Sequence, residues 1–216
     1  MVSLITRLGL IDYGMGNLHS VQIAFERLHK ALHIVRQPAD LSRCDALILP
    51  GVGAFDPAMV HLEQTRLVPD LKSWVKGERP LLGICLGLQL LFESSDEGNA
   101  TGLGLLKGHV QRLPSNQGER IPHMGWAALQ HRNDCPLLDK EDPDSWMYFV
   151  HSYAAVPSQN SDLAAIAPFG RDNITAMVWK GRLGACQFHP EKSAAAGERM
   201  LRRWLNWLET GAKPVP

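Results

Sequence analysis

The stretch "RPLLGICLGLQLLFE" (residues 79–93) joins a β-type apolar run directly to a run with helical spacing, and one cysteine stands at the junction. The part before the cysteine predicts a buried strand and the part after it predicts a helix. Gly83 and Gly87 flank Cys85 in a G-x-C-x-G pattern, the thiol counterpart of the G-x-S-x-G nucleophile elbow. The glycines fit because a nucleophile on a tight, strained turn leaves little room for neighbouring side chains. We therefore predict an elbow that presents Cys85 as a nucleophile.

The segments on either side of this elbow predict one α/β domain. Short β-type runs alternate with helical stretches in the first half, and fully apolar strands such as "ALIL" indicate a parallel sheet covered by helices on both faces. The second half is richer in strands and ends in an amphipathic helix. The predicted strands are 8–12, 32–36, 45–50, 79–84, 103–113, 147–153, 162–167 and the hairpin 173–189; the predicted helices are 17–30, 62–75, 86–93 and 195–208; 114–119 is a predicted loop. We expect a single domain over residues 1–216, with a mixed, largely parallel central sheet.

The composition excludes several classes of protein. Lys plus Arg and Asp plus Glu balance at 22 each, which leaves no net charge to attract nucleic acid or an anionic membrane. The longest charge-free apolar run, Pro80–Phe92, has 13 residues and is shorter than the roughly 18–20 of a membrane span. The apolar N-terminus predicts a first strand rather than a signal peptide. Four scattered cysteines and nine histidines without a ligand motif predict reduced thiols, no metal site and a cytoplasmic protein.

A nucleophilic thiol needs a base and a group that orients the base, and "ACQFHPEKS" (residues 185–193) supplies both. Pro190 favours an extended backbone at His189, and residues two apart in an extended chain project to the same side. His189 and Glu191 are therefore expected to point together, so that the carboxylate can orient the imidazole. The alternatives are a structural role for Cys85, which is the commoner role of a buried cysteine, and a surface loop for this segment.

Two further loops have possible roles. "ALILPGVGAF" ends a buried strand at Gly51, Val52 and Gly53, whose backbone N–H groups could stabilise an oxyanion together with that of Leu86; the alternative is a plain strand-ending turn. "GMGNLH" superficially matches a dinucleotide-binding fingerprint. Its third glycine is replaced by His19, which excludes a phosphate cradle.

Together, the G-x-C-x-G elbow and the later H-P-E segment resemble those of the class I, triad-type glutamine amidotransferases, and the resemblance covers nearly the whole chain. Within that family, four stretches resemble the branch of glutaminase subunits of imidazole glycerol phosphate synthases. They are "DYGMGNLHS" (12–20), "LPGVGAF" (49–55), "IPHMGW" (121–126) and "FVHSY" (149–153) with "QFHPEKS" (187–193).

This resemblance implies an activity and a set of site residues. Cys85 attacks the side-chain amide of glutamine, a γ-glutamyl thioester forms, ammonia leaves and water releases glutamate. His189 is the base and then the acid, Glu191 orients it, and no cofactor is needed. The implied oxyanion hole is Gly51, Val52, Gly53 and Leu86, and the implied glutamine-binding residues are Gln89, Glu97, His151, Ser152 and Tyr153.

The same resemblance implies a partner. Ammonia passes to a (β/α)8 cyclase subunit, which uses it in histidine biosynthesis. The positions implied at that interface are Tyr13, Asn17, Met124, Trp126, Tyr148 and Lys192. Trp126 and Tyr148 could equally be core aromatics, and Lys192 a solvated surface lysine.

Three other functions fit parts of the sequence. Another class I glutaminase, serving for example anthranilate, guanylate or pyridoxal phosphate synthesis, would keep the triad but is expected to lack "YGMGN" and "PHMGW". A catalytically inactive partner-binding protein on the same fold is disfavoured because Cys85, His189 and Glu191 are all present. A stand-alone cysteine hydrolase is the third, and it would be independent of any partner.

Overall fold

The computed structural model describes residues 6–115, 119–142 and 145–214, and over these residues the chain forms thirteen strands and five α-helices. The strands are β1 (Leu8–Ile11), β2 (Leu32–Val35), β3 (Ala46–Leu49), β4 (Leu81–Ile84), β5 (Ser94–Ser95), β6 (Gly108–Arg112), β7 (His123–Ala128), β8 (Gln130–His131), β9 (Trp146–His151), β10 (Tyr153–Pro157), β11 (Leu163–Phe169), β12 (Asp172–Lys180) and β13 (Leu183–Cys186). The helices are α1 (Leu18–Arg27), α2 (Phe55–Gln64), α3 (Val68–Lys76), α4 (Leu86–Gln89) and α5 (Ala194–Glu209), with 3₁₀ turns at Pro38–Arg43, Asn160–Asp162 and Pro190–Lys192.

The central sheet has eight strands in the order β2-β1-β3-β4-β13-β12-β11-β8. The first five of these are mutually parallel, and the last three join antiparallel. The register pairs Cys186, the last residue of β13, with Ile84, the last residue of β4. The chain segments that follow these two strands therefore leave the sheet side by side, at the carboxyl edge where parallel α/β sheets place their ligands.

Helices cover both faces of this sheet, as their apolar stripes require. On one face α1 and α5 pack together, and the rings of Phe25 and Trp204 meet edge to face with their centroids 6.0 Å apart. On the other face α2 and α3 bury Phe55, Leu71 and Trp74. The prediction of a mixed, largely parallel sheet between two helical layers is confirmed.

Two smaller sheets lie beside the central one. One has the order β10-β6-β5, and the other is the antiparallel ribbon of β7 and β9. The ribbon pairs Trp126 with Tyr148 and His123 with His151. β7 is not among the predicted strands, because Gly125 interrupts its pattern and the apolar Met124 and Trp126 face solvent.

Four predicted elements are wrong in their bounds. The strand 147–153 is instead the end of β9 and the start of β10, which lie in different sheets and are separated by Ser152. The single helix 62–75 is instead two helices: α2, which begins earlier, at Phe55, and α3. They are separated at Arg66, whose φ of +62° ends the first of them. The strand 103–113 is reduced to β6. The helix 86–93 is reduced to α4 and a turn.

One loop explains two of these differences. The backbone N–H groups of Leu103, Leu105 and Gly104 donate to the carbonyls of Leu90, Leu91 and Phe92, respectively. Those carbonyls would otherwise continue the helix, and those N–H groups would otherwise pair in a strand. The residues therefore form a loop that wraps the end of the elbow helix.

Several predictions concern features of the whole chain. Among the described residues no helix is both long and apolar enough to cross a bilayer, and their His, Cys, Asp and Glu side chains form no group of three suited to a metal ion. Cys44, Cys85, Cys135 and Cys186 are free and buried. Part of the predicted loop 114–119, residues 116–118, lies outside the described residues, as do residues 1–5 of the N-terminus.

Candidate active site

Cys85 sits on the sharp turn between β4 and α4, with φ +55° and ψ −111°. A residue with a Cβ rarely adopts this conformation, and such strain persists only where the surrounding structure enforces it. Here the backbone N–H of Cys85 donates to the carbonyl of Cys186 at 2.8 Å, which ties the turn to the neighbouring strand. The elbow predicted for residues 83–87 is present in the structure.

The two flanking glycines are required by close packing. A Cβ on Gly87 would lie 1.9 Å from the carbonyl oxygen of Leu49, and one on Gly83 would lie 3.0 Å from the carbonyl oxygen of Gly87. The first distance is far inside van der Waals contact with backbone. The elbow can therefore press against the end of β3 only because position 87 lacks a side chain, whereas Gly83 leaves room for the tight turn itself.

The strain at the elbow leads to a stability prediction. Cys85→Gly is expected to be more stable than Cys85→Ala by about 1 kcal/mol, because the turn costs a residue with a Cβ roughly 1–3 kcal/mol and costs glycine little. Unfolding of the two variants in urea measures the difference. Cys44, which is buried at an ordinary φ of −116°, supplies the control pair, where alanine should be the more stable residue. If alanine were more stable than glycine at position 85, as it is expected to be at position 44, the backbone strain at the elbow would be contradicted.

His189 and Glu191 are brought together as the sequence predicted. Nδ1 of His189 lies 2.7 Å from Oε1 of Glu191, and the two side chains are 3% and 2% exposed. The segment is clamped to β9: the N–H of His189 donates to the carbonyl of Tyr148, and the hydroxyl of Ser193 donates to the carbonyl of His189 and accepts from the N–H of Tyr148. The imidazole is therefore held in a fixed place and orientation.

The charge state of His189 reflects its neighbours. Burial lowers the pKa of His189, but the neighbouring sulfur of Cys85 and carboxylate of Glu191 outweigh burial and raise the pKa to about 10. Nε2 of the ring is buried and makes no aligned hydrogen bond within the described residues. The sulfur of Cys85 is thus near enough to favour the imidazolium without a well-formed bond, which is common in active sites that hold no ligand.

Two of the four predicted oxyanion donors, Leu86 and Val52, are already engaged with acceptors. The N–H of Leu86 donates to the carbonyl of Gly51 at 3.3 Å, and the N–H of Val52 donates to the carbonyl of Met15 at 3.3 Å. The carbonyl of Gly51 and the N–H of Val52 are the two ends of one peptide group. This single peptide therefore occupies one candidate donor and turns the other away from the elbow.

A pocket of about 290 Å³ opens beside the elbow, a size suited to an amino acid. Cys85 and His189 line it, and so do all five residues that the resemblance assigns to glutamine binding: Gln89, Glu97, His151, Ser152 and Tyr153. Val52, Gly53 and Leu86 line it as well. Glu97 is positioned by α2, since its Oε2 accepts the N–H of Phe55 at 2.8 Å.

His151 is a neutral wall of this pocket. Burial lowers its pKa to about 4. Its Nδ1 lies 2.8 Å from the carbonyl of Tyr153, which can only accept, so the proton is on Nδ1. Its Nε2 is then an acceptor and faces Nδ1 of His123 at 3.3 Å. His123 is not among the site residues predicted from the sequence.

The residues implied at a partner interface are only partly on the surface. Met124 and Trp126 are 64% and 48% exposed on the ribbon of β7 and β9, and the ring of Tyr148 meets that of Trp126 edge to face at 5.9 Å. Lys192 is exposed beside the H-P-E turn, and Asn17 caps α1 through the N–H of Ser20. Tyr13 is buried, and its hydroxyl donates to the carbonyl of Pro50 at 2.9 Å.

Sequence reasoning missed Gln187. Its side chain is fully buried and contacts both the sulfur of Cys85 and the amide of Gln89. The available signal was one polar residue inside the apolar strand end "GACQF".

Comparison with known proteins agrees with this geometry. The profile of the family "Glutamine amidotransferase class-I" matches residues 9–207. This chain belongs to the class-I glutamine amidotransferases. The match spans the elbow, the H-P-E segment and all of the central sheet except Leu8, so the family predicted from the sequence is confirmed.

Two curated relatives are similar over their full length. A protein of Prochlorococcus marinus (strain MIT 9313), named imidazole glycerol phosphate synthase subunit HisH 2, is 98% identical over 213 residues, covering 99% of this chain and 100% of the relative. A protein of Synechococcus sp. (strain CC9605), named imidazole glycerol phosphate synthase subunit HisH, is 65% identical over 209 residues, covering 97% and 98% of the two chains.

Two solved structures share the fold at low identity. PurLQS from Thermotoga maritima matches with a TM-score of 0.73 and 19% identity, covering 95% of this chain and 100% of that one. A structure described as a glutamine amidotransferase matches with a TM-score of 0.68 and 22% identity, covering 92% and 97%. These likenesses show the fold alone.

Proposed function

We propose that this chain is the glutaminase subunit of an imidazole glycerol phosphate synthase, which hydrolyses glutamine and passes the ammonia to a (β/α)8 cyclase subunit in histidine biosynthesis. One observation carries the choice among class-I enzymes: the 98% identity, end to end, with a subunit of that name. Residues 1–216 act as one amidotransferase domain in the cytoplasm, and no cofactor takes part.

The geometry supports a thioester mechanism. The thiolate of Cys85 adds to the side-chain carbonyl of glutamine, the C–N bond breaks, and the imidazolium of His189 gives its proton to the leaving nitrogen, which departs as ammonia. Water then adds to the thioester carbonyl and loses a proton to His189. The C–S bond breaks with its electron pair on sulfur, which releases glutamate. Glu191 holds the imidazole and stabilises its positive charge throughout.

The pocket supplies groups that fit glutamine. Glu97 uses one carboxylate oxygen on the N–H of Phe55, which leaves the other for the ammonium group of the substrate. Gln89 uses both of its N–H hydrogens on protein acceptors, which leaves its carbonyl oxygen as its acceptor for substrate N–H. His151, Ser152 and Tyr153 also line the pocket, and the carbonyl of Tyr153 accepts from Nε2 of Gln89.

The engaged oxyanion donors indicate a resting state of low activity. Rotation of the Gly51–Val52 peptide would release the N–H of Leu86 and turn the N–H of Val52 toward the same point, placing two donors at the developing oxyanion. We propose that the cyclase docks on the exposed ribbon around Met124 and Trp126 and favours the rotated peptide. Tyr148, Lys192, Asn17 and the buried Tyr13 are the other positions proposed for this interface. Such a population shift requires the partner to bind the two states with different affinity.

A glutaminase assay tests this proposal. The chain alone is expected to hydrolyse glutamine slowly, and the rate is expected to rise at least about tenfold with the cyclase subunit and its ligand, the range of common allosteric couplings. A pull-down of the cyclase accompanies the assay, and partner subunits of anthranilate and guanylate synthesis serve as controls. Rapid hydrolysis by the isolated chain, unchanged by cyclase and ligand, would count against the proposal. So would equal activation by one of the control subunits.

A further inference from the structure

Gln187 joins the nucleophile to the substrate pocket. Its side chain is fully buried, its Nε2 lies 3.7 Å from the sulfur of Cys85, and its Oε1 accepts from Nε2 of Gln89 at 3.1 Å. The sheet register explains this position, because Cys186 pairs with Ile84 and places the next residue of each strand side by side. The backbone N–H of Gln187 donates to the carbonyl of Ala176 at 2.8 Å, which fixes the chain at this point.

The orientation of the Gln187 amide follows from a fixed acceptor. The carbonyl of Tyr153 can only accept, and it lies 2.9 Å from the Gln89 side chain, which must therefore present its NH₂ group there. That NH₂ group also faces Gln187, so the atom it meets must be Oε1. The NH₂ group of Gln187 is then on the other side, directed at sulfur. Reversing either amide would leave two donors or two acceptors facing each other in a buried place.

We propose that Gln187 is a positioning residue that directs an N–H donor at the sulfur of Cys85, stabilising its negative charge, and at the same time fixes the amide of Gln89 in the pocket wall. The inference rests on the proposed glutaminase mechanism and adds a residue to it. A donor to sulfur favours the thiolate over the thiol before attack. The same donor meets the charge that returns to sulfur when the thioester breaks.

Two substitutions separate the two contacts. Gln187→Glu keeps an acceptor for Gln89 but replaces the donor to sulfur with an oxygen. Gln187→Met has a similar length and removes both contacts. Gln64→Glu, at an exposed position on the last turn of α2, makes the same change of charge far from the site and is the matched control.

Alkylation of Cys85 by iodoacetamide as a function of pH, followed by mass spectrometry of the Cys85 peptide, tests the donor directly. In Gln187→Glu and Gln187→Met the alkylation rate at pH 7 is expected to fall at least about tenfold, which corresponds to the loss of one hydrogen bond to a charged group. The pH at which the alkylation rate is half-maximal is expected to rise. Glutaminase kinetics with the cyclase should show lower kcat in both variants. KM should rise in Gln187→Met and stay near the parental value in Gln187→Glu.

Circular dichroism and thermal unfolding establish that each variant is folded, and if Gln187→Glu does not fold, Gln187→Met decides by its alkylation profile. A folded variant with the alkylation pH profile of the parent overturns the inference. A profile shifted equally in Gln64→Glu overturns it too. Cys85→Ala, assayed in parallel, separates the two proposals. If Cys85→Ala still hydrolyses glutamine, the glutaminase mechanism itself is wrong. If Cys85→Ala is inactive but Gln187→Glu has the alkylation pH profile of the parent, only the role of Gln187 is rejected.

Discussion

Replacement of Cys85 by alanine is expected to lower the rate of glutamine-dependent formation of imidazole glycerol phosphate by at least about three orders of magnitude, because no thioester can form without the sulfur. Ammonia-dependent synthesis by the same complex should remain at the parental rate, because the cyclase then receives its nitrogen from solution. Alanine has a Cβ like cysteine and keeps the backbone strain of the elbow, so the fold of the variant should be that of the parent. Both reactions are measured on one preparation of the complex, with glutamine or an ammonium salt as the nitrogen source.

Cys186→Ala is the matched control for this experiment. Cys186 is a buried thiol next to the elbow, and its sulfur lies within hydrogen-bonding distance of the backbone carbonyls of Gly83 and Phe188. The control should keep both activities apart from a modest loss of stability. Loss of the ammonia-dependent reaction in Cys85→Ala would mean that this residue has a structural role instead.

Replacement of Glu191 by glutamine is expected to lower the glutaminase kcat by about three to four orders of magnitude, as changes of this kind do in other triads. Oε1 of Glu191 lies 2.7 Å from Nδ1 of His189, and both side chains are buried. A neutral amide no longer balances the imidazolium, and it can present an N–H where the ring needs an acceptor. Steady-state kinetics in the complex measure the loss. Glu198→Gln, whose carboxylate is half exposed and paired with Arg202, should retain parental activity. A Glu191→Gln enzyme within tenfold of the parent would remove Glu191 from the mechanism.

The same pair gives the protein a pH-dependent stability. Contacts with Cys85 and Glu191 raise the pKa of His189 from 6.5 to about 10 against the effect of burial. A group whose folded pKa is raised stabilises the fold fully below its unfolded pKa, and this contribution disappears as pH rises through the folded value. The parent should therefore lose stability between about pH 6.5 and pH 10. The loss should be smaller in Glu191→Gln, because burial then acts with less opposition and lowers the pKa of His189. Urea unfolding across this pH range measures the difference.

Local patterns were sufficient to predict the elbow and the H-P-E pair. Gly83, Cys85 and Gly87 lie within five residues, and steric exclusion at that spacing is a property of the chain itself. His189 and Glu191 are two apart across Pro190, so their common direction follows from backbone geometry. The alternation of apolar strands and amphipathic helices likewise predicted the layered sheet, because burial of strands on both faces requires helices on both sides.

Contacts between distant segments were not predictable in the same way. Gln187 reaches Cys85 and Gln89 across 102 and 98 residues of sequence, and the link depends on the register of β13 against β4. The wrapping loop at residues 102–106 shortened a helix and a strand that both had favourable patterns, because it satisfied the same backbone groups in another way. Strand β7 was not predicted, because its exposed face is apolar and does not give the alternation of a half-buried strand.

By itself the sequence determined that this chain carries a strained thiol and an imidazole–carboxylate pair on a layered α/β fold, since those features arise from neighbouring residues and their side-chain volumes. Only the tertiary structure decided which groups meet that thiol. The meeting of the ends of β3, β4 and β13 at one sheet edge placed Gln187 beside the sulfur and turned the Gly51 carbonyl onto the N–H of Leu86. The physical reason is that strand register and peptide orientation are set by hydrogen bonds between segments far apart in the chain, and no local pattern encodes them.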